Sequence, residues 1–93
     1  MTTTDVDPAS LHYGELELAL ERLRAEERLL SRRREQLHKR IEFLKGGGAN
    51  DDASKELLAS IEGEESYVSK SRHEVHRRID VLRAEQLRRN NDG

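Results

Sequence analysis

The sequence contains no cysteine, one proline and only three aromatic residues in 93 positions. The lack of cysteine excludes disulfides, thiolate zinc sites and cysteine nucleophiles. Apolar residues are also scarce, since they make up 33% of the chain against 39% for charged residues. A globular domain of this size needs a larger apolar core to offset its conformational entropy. A coiled coil buries only one narrow stripe, so this composition favours a coiled coil.

No apolar run approaches the length that crosses a membrane, and residues 1–7 lack the basic and then apolar layout of a signal peptide. We therefore expect a cytoplasmic protein that does not associate with a membrane. The net charge is −2, whereas a general nucleic-acid binder normally carries a marked basic excess. Direct DNA binding is not expected.

Three successive glycines at 46–48 are the strongest interruption of the chain, and an Asn/Asp cluster follows them. Upstream, Asp7 and Pro8 predict a helix N-cap with proline in the first turn. Downstream, Asp52 or Ser54 can cap a second helix. A short loop between two long helices favours an all-α, two-helix antiparallel coiled-coil hairpin. The predicted segments are a disordered tail at 1–8, a helix at 9–45, a loop at 46–53, a helix at 54–89 and a disordered tail at 90–93.

Aliphatic residues recur on alternating steps of three and four along both predicted helices, as in a coiled-coil seam. The two series are Leu16, Leu20, Leu23, Leu30, Leu37, Ile41 and Leu44, and Leu58, Ile61, Val68, Val75, Ile79 and Leu82. Each series is broken by one glutamate and one arginine. The breaks are Glu27 and Arg34 in the first helix, and Glu65 and Arg72 in the second.

A shift of 38 residues aligns the two helices, with eight of twenty positions identical between 26–45 and 64–83. The polar part of this repeat is Glu-x3-Ser-x2-Arg-x3-His-x3-acid. Its copies, called here the two polar strips, are Glu27, Ser31, Arg34, His38 and Glu42, and Glu65, Ser69, Arg72, His76 and Asp80. Each strip lies within an arc of about 80° over about 22 Å of helix. In an antiparallel hairpin this spacing predicts that Glu27 lies near Arg72 and Arg34 near Glu65.

The strips have two interpretations, of which the first is a set of cross-helix ion pairs that fix register. This does not explain why serine, histidine and a terminal acid recur at the same offsets. The second is a ligand site: guanine offers O6 and N7 to an arginine and its N–H groups to a carboxylate, while arginine, serine or protonated histidine can contact phosphate. Such chemistry narrows the ligand only to a phosphorylated, guanine-like molecule. Cyclic di-GMP has two guanines, two phosphates and a twofold axis, which suits two related strips.

The strips resemble the motif of the RsiG-type anti-sigma factors of actinobacteria, Glu-x3-Ser-x2-Arg-x3-Gln-x3-Asp, and the chain looks like a twin-motif member. Both copies match at glutamate, serine and arginine. His38 and His76 stand where the motif has glutamine, and Glu42 stands where it has aspartate, which Asp80 retains.

The resemblance implies that cyclic di-GMP is a regulatory ligand, bound as a nucleotide dimer by the ten residues of the strips. Arg34, Arg72, Glu42 and Asp80 are the implied guanine or phosphate contacts, and the serines and the other glutamates support them. It also implies that the loaded hairpin sequesters a WhiG-type sigma factor. The alternatives are a structural coiled-coil module with a polar, register-setting seam, and a cyclic di-GMP-dependent adaptor for a different regulator.

The sequence carries no sign of catalysis, because it has no nucleophile–base pair and no phosphate-binding glycine loop after a strand. We expect no enzymatic activity and no resident cofactor. A metal site is not expected either, since His73 and His76 are three residues apart but the first helix has no equivalent pair. A two-helix hairpin is only marginally stable by itself, so association into a homo-oligomer is a further alternative.

Overall fold

The computed structural model describes residues 7–47 and 51–92 of the chain. A 3₁₀ turn at Pro8–Ser10 precedes two long helices, α1 at Tyr13–Gly46 and α2 at Asp52–Asp92. Together they form a rod of 62 × 25 × 15 Å. In the described part of the chain, neither helix combines the length and the apolar character needed to cross a bilayer.

Contacts at the two ends show that the helices run antiparallel. Near the chain termini, the Tyr13 hydroxyl donates a hydrogen bond to Asn90 Oδ1 at 2.9 Å. Near the connection between the helices, Lys45 Nζ lies 3.6 Å from Glu62 Oε2. The predicted all-α, two-helix antiparallel hairpin is confirmed.

The first helix begins later than the predicted residue 9. Asp7 does act as a cap, but its Oδ1 accepts from Ala9 N, at 3.1 Å, in the 3₁₀ turn. Leu11 is extended, with φ −81° and ψ 137°, and therefore separates this turn from α1. The N-cap of α1 is His12, whose backbone N–H donates to Glu15 Oε1 at 2.9 Å.

The second helix is capped by Asp51, one residue before the first of the two predicted caps. Asp51 Oδ1 accepts from Ser54 N at 2.7 Å, and this contact with Ser54 lowers the pKa of the Asp51 carboxyl. The helix then continues to Asp92, three residues beyond the predicted end at 89. Residues 1–6 and 93 of the predicted tails and 48–50 of the predicted loop lie outside the described residues.

The apolar seam is buried in two separate clusters. The cluster near the termini contains Leu16, Leu20 and Leu82, with Leu11, Ala19, Leu23 and Ile79 packed against it. The cluster near the connection contains Leu37, Ile61 and Val68, with Leu30, Ile41 and Leu44 packed against it. In sequence, Glu27 and Arg72 fall at the boundary between the clusters, whereas Arg34 and Glu65 interrupt the second one. The polar breaks therefore divide the core of the hairpin.

Candidate ligand-binding site on the helical hairpin

The first of two polar centres in the seam forms around the Glu27 carboxylate. Its Oε1 accepts a hydrogen bond of 2.7 Å from Ser31 Oγ, one turn along α1. Two groups reach it from α2, Arg72 Nε and His76 Nε2, each at 3.2 Å. Arg72 Nε also donates to Ser31 Oγ at 2.8 Å. Glu27 thus contacts one residue of its own strip and two of the opposite strip.

The second centre repeats this arrangement around Glu65, with the helices exchanged. Glu65 Oε1 accepts from Ser69 Oγ at 2.9 Å and contacts His38 Nε2 at 2.9 Å. Arg34 Nε lies 3.6 Å from the same oxygen and donates to Ser69 Oγ at 3.3 Å. The two centres are therefore related by an approximate twofold axis through the seam.

The pairings predicted from spacing are confirmed, since Glu27 contacts Arg72 and Arg34 contacts Glu65. Spacing did not predict the positions of the two histidines. Each places Nε2 on the glutamate of the opposite helix, so His38 and His76 cross-link the strips.

Both central glutamates have lowered pKa values. The Ser31 hydrogen bond, followed by His76 and Arg72, lowers the pKa of Glu27 from 4.5 to about 2, against the opposing effect of burial. The His38 contact, followed by the Ser69 hydrogen bond, lowers the pKa of Glu65. Two carboxylates therefore remain ionised in the seam at neutral pH.

These carboxylates hold each central arginine through Nε. Among the described residues, no hydrogen bond involves the terminal Nη nitrogens of Arg34 or Arg72. The side chains are 42% and 32% exposed, respectively, so a ligand can approach both of them from solvent. A guanidinium is planar and rigid, and each arginine therefore offers a fixed pair of donors to a ligand.

The terminal acids of the strips differ from the other members. Glu42 and Asp80 are exposed, and neither carboxylate has a hydrogen bond or ion pair within residues 7–47 and 51–92. They flank the two centres as unengaged acceptors. In each strip, therefore, the glutamate, serine, arginine and histidine pair with one another or with the opposite strip, whereas the terminal acid does not.

A surface cleft of about 420 Å³ opens beside the first strip. It is lined by Ser31, Arg34, Glu35, His38, Lys39, Glu42 and Arg72. Four of the five residues of the first strip are thus brought together with the arginine of the second. The volume lies within the range of sites that hold small molecules.

Two residues of the cleft wall, Glu35 and Lys39, were not predicted. Lys39 Nζ lies 3.6 Å from Glu35 Oε1, one helical turn away. Each lies one position after a residue of the first strip. This spacing could have predicted that both extend the polar face of α1. The repeat did not reveal them because their counterparts are His73 and Arg77. In the described segments, no group of three or more histidines and carboxylates could hold a metal ion.

The sequence model of one protein family, described as RsiG-like, matches residues 47–93, just over half of the chain. The chain belongs to the RsiG-like family. This membership indicates a role of the anti-sigma factor type. No curated protein and no solved structure matches the chain.

The segment that matches the RsiG-like family covers α2 and therefore the second strip, Glu65 to Asp80. The first strip lies outside the match. It nevertheless makes the same set of contacts, because Glu27, Ser31 and Arg34 pair with α2 as Glu65, Ser69 and Arg72 pair with α1. Within this RsiG-like protein the two helices therefore contribute equivalent polar centres.

Proposed function

We propose that the hairpin is a cytoplasmic anti-sigma factor that binds cyclic di-GMP on its two strips and, when loaded, sequesters a WhiG-type sigma factor. One observation carries the nucleotide part of this proposal. Arg34 and Arg72 are held through Nε in twofold-related centres, which leaves the paired Nη donors of both to a ligand.

The open groups suit guanine and phosphate. An arginine fork can donate to O6 and N7 of guanine, or to a phosphate, with both Nη groups. Glu42 and Asp80 can accept from guanine N1–H and the exocyclic amine, because no described residue engages either carboxylate. Glu27 and Glu65 are not expected to bind guanine, since they already pair with the arginines and histidines.

Symmetry favours a ligand with two equal halves. The cleft beside the first strip already includes Arg72 of the other helix, so a molecule in it would contact both α1 and α2. A dimer of cyclic di-GMP laid along the seam would be placed to contact both arginines. Such a ligand would hold the helices together and stabilise the folded hairpin by mass action.

The sigma-factor part of the proposal is supported by family membership. An anti-sigma factor acts by occupying a surface that its sigma factor needs for RNA polymerase. A nucleotide that stiffens the hairpin would fix the surface offered to that partner, which is the expected basis of nucleotide-dependent capture.

Calorimetric titration of the hairpin with cyclic di-GMP tests the nucleotide site, with GTP and cyclic di-AMP as controls. Arg34→Lys and Arg72→Lys should each weaken binding at least about tenfold, because lysine keeps the charge but lacks the planar fork. Arg77→Lys is a matched control, since Arg77 is 73% exposed and pairs with Glu74 on its own helix. Equal affinities for all three variants would rule out the proposed arginine contacts.

A structural register-setting seam is the second candidate, and one observation favours it. The Glu27 and Glu65 centres are linked across the helices by direct contacts between side chains of the two strips. If cyclic di-GMP produces no heat and Arg34→Leu and Arg72→Leu both raise the melting temperature, the structural interpretation is correct. Binding of a purified WhiG-type sigma factor with and without nucleotide then separates an anti-sigma factor from an adaptor for another regulator.

A further inference from the structure

Helix α1 has a second continuous face, which lies about 140° around the helix from the packed seam. At about 100° per residue its members fall within an arc of about 80°. We call it the outer face of α1, and it comprises Gly14, Leu18, Arg22, Ala25, Leu29, Arg32, Gln36, Arg40 and Phe43. Every one of these residues is exposed.

The apolar part of the outer face is large. Leu18, Leu29 and Phe43 are 45%, 61% and 78% exposed, respectively. Single exposed apolar residues are ordinary on a protein surface. These three, however, share one arc that extends about 37 Å along the helix, a length suited to a partner helix.

The charged part of the outer face is entirely basic. Its charged members are Arg22, Arg32 and Arg40, and none of the seven glutamates of α1 falls within the arc. Among the residues that the structure describes, these three arginines form no ion pair or hydrogen bond. Arg33, which points toward α2, is by contrast paired with Glu64. The outer face therefore combines apolar side chains with unpaired positive charge.

Helix α2 lacks an equivalent surface. The 38-residue repeat places Tyr67 and Val81 at positions that correspond to apolar residues of the outer face. Glu56 stands at the position that corresponds to Leu18, and Glu74 lies between Tyr67 and Val81 and pairs with neighbouring arginines, including Arg77 at 2.6 Å. The basic and apolar combination is therefore a property of α1 and not a by-product of the repeat.

We propose that the outer face of α1 docks an acidic amphipathic helix of the captured sigma factor, an inference that rests on the proposed anti-sigma function. The apolar stripe of that helix packs on Leu18, Leu29 and Phe43, and its carboxylates pair with the flanking arginines. Nucleic acid is disfavoured as the occupant, because three large apolar residues share the face and the chain carries a net charge of −2.

Two variants test this docking surface, and a third serves as the control. Leu29→Ser/Phe43→Ser removes apolar contacts, Arg22→Glu/Arg32→Glu/Arg40→Glu reverses the charge, and Tyr67→Ser/Val81→Ser makes the matched change on α2. Binding of a purified WhiG-type sigma factor is measured by calorimetry at saturating cyclic di-GMP. Each α1 variant should raise the Kd at least about tenfold. The control should stay within about twofold of the wild type.

Circular dichroism and a cyclic di-GMP titration of each variant accompany these measurements. All three should remain helical and bind nucleotide like the wild type, because the cleft lies on another side of α1. The charge-reversal variant should also lose the salt dependence of sigma-factor binding.

Different results identify which proposal fails. If the loaded wild type does not bind the sigma factor, the proposed function fails and the docking surface fails with it. If the wild type binds and both α1 variants bind equally well, the docking surface is overturned while the anti-sigma function stands. If the α1 variants lose affinity only for duplex DNA, the outer face is a nucleic-acid surface and the docking of a sigma-factor helix is overturned.

Discussion

The glutamates at the centre of each strip determine how the polar residues of the seam are arranged. Glu27 and Glu65 each hold a serine of their own helix and an arginine and a histidine of the other. The glutamate–arginine pairings could be predicted from spacing, because an antiparallel hairpin fixes the relative height of two helices. The histidine contacts could not, since they depend on which way a flexible side chain turns at the helix surface.

Stability should decline in acid through loss of the Glu27 carboxylate. Its pKa in the folded hairpin is about 2, against 4.5 as an ordinary carboxyl. A lowered pKa contributes stability that is fully present above about pH 4.5 and is lost as the pH falls toward 2. Urea unfolding at pH 6 and pH 3 should show a smaller loss of stability in Glu27→Gln than in the wild type.

Glu42→Gln is the control for this measurement, because no described residue pairs with the Glu42 carboxylate. It should lose as much stability as the wild type between the two pH values. An acid response of Glu27→Gln that equals that of the wild type would show that the Glu27 centre does not contribute.

At the scale of elements, the existence and direction of both helices followed from apolar periodicity and from the glycine interruption. The residues at which the helices begin and end could not be predicted as directly from the sequence. Asp7 and Pro8 begin a 3₁₀ turn and not α1 itself. The backbone at Leu11 is extended, and α1 begins only after it. Among the neighbouring acids, Asp51 became the cap of α2 because its side chain reaches Ser54 N, a choice that spacing alone leaves open.

Loss of the Asp51 cap should destabilise the connection end of α2. Asp51→Ala should lower the free energy of unfolding, because Ser54 N then lacks its acceptor. Asp51→Asn should remain near the wild type, since asparagine caps about as well. Chemical denaturation measures both, and equal losses in the two variants would exclude capping as the cause.

At the scale of the whole molecule, the open end of the hairpin is closed by contacts that have no counterpart in the repeat. Arg89 Nη2 donates to the carbonyl oxygens of Pro8 and Leu11 at 3.1 and 2.6 Å, and Arg89 Nε bonds Glu85 at 2.6 Å. The guanidinium also lies 5.9 Å from the centre of the Tyr13 ring. This arrangement was not predictable from the sequence, because it joins residues that occur once and depends on the extended backbone at Leu11.

Arg89→Ala should release the segment before α1 from the end of α2. Three hydrogen bonds are lost, so backbone amides near residues 9–16 should exchange with solvent faster, while amides near the connection are unaffected. Arg83→Ala is the control, since Arg83 is exposed and has no ion pair within the described segments. Hydrogen exchange read by mass spectrometry distinguishes them, and identical exchange in both variants would contradict the role given to Arg89.

Because Glu27 and Arg72 lie at the boundary between the two apolar clusters, we expect the two ends of the hairpin to open to different extents. A molecule that fills the cleft would contact Arg72 at this boundary and His38 beside the second cluster, and so would strengthen the connection end of the hairpin. Bound nucleotide would then slow amide exchange more at the connection end than at the end that holds the chain termini.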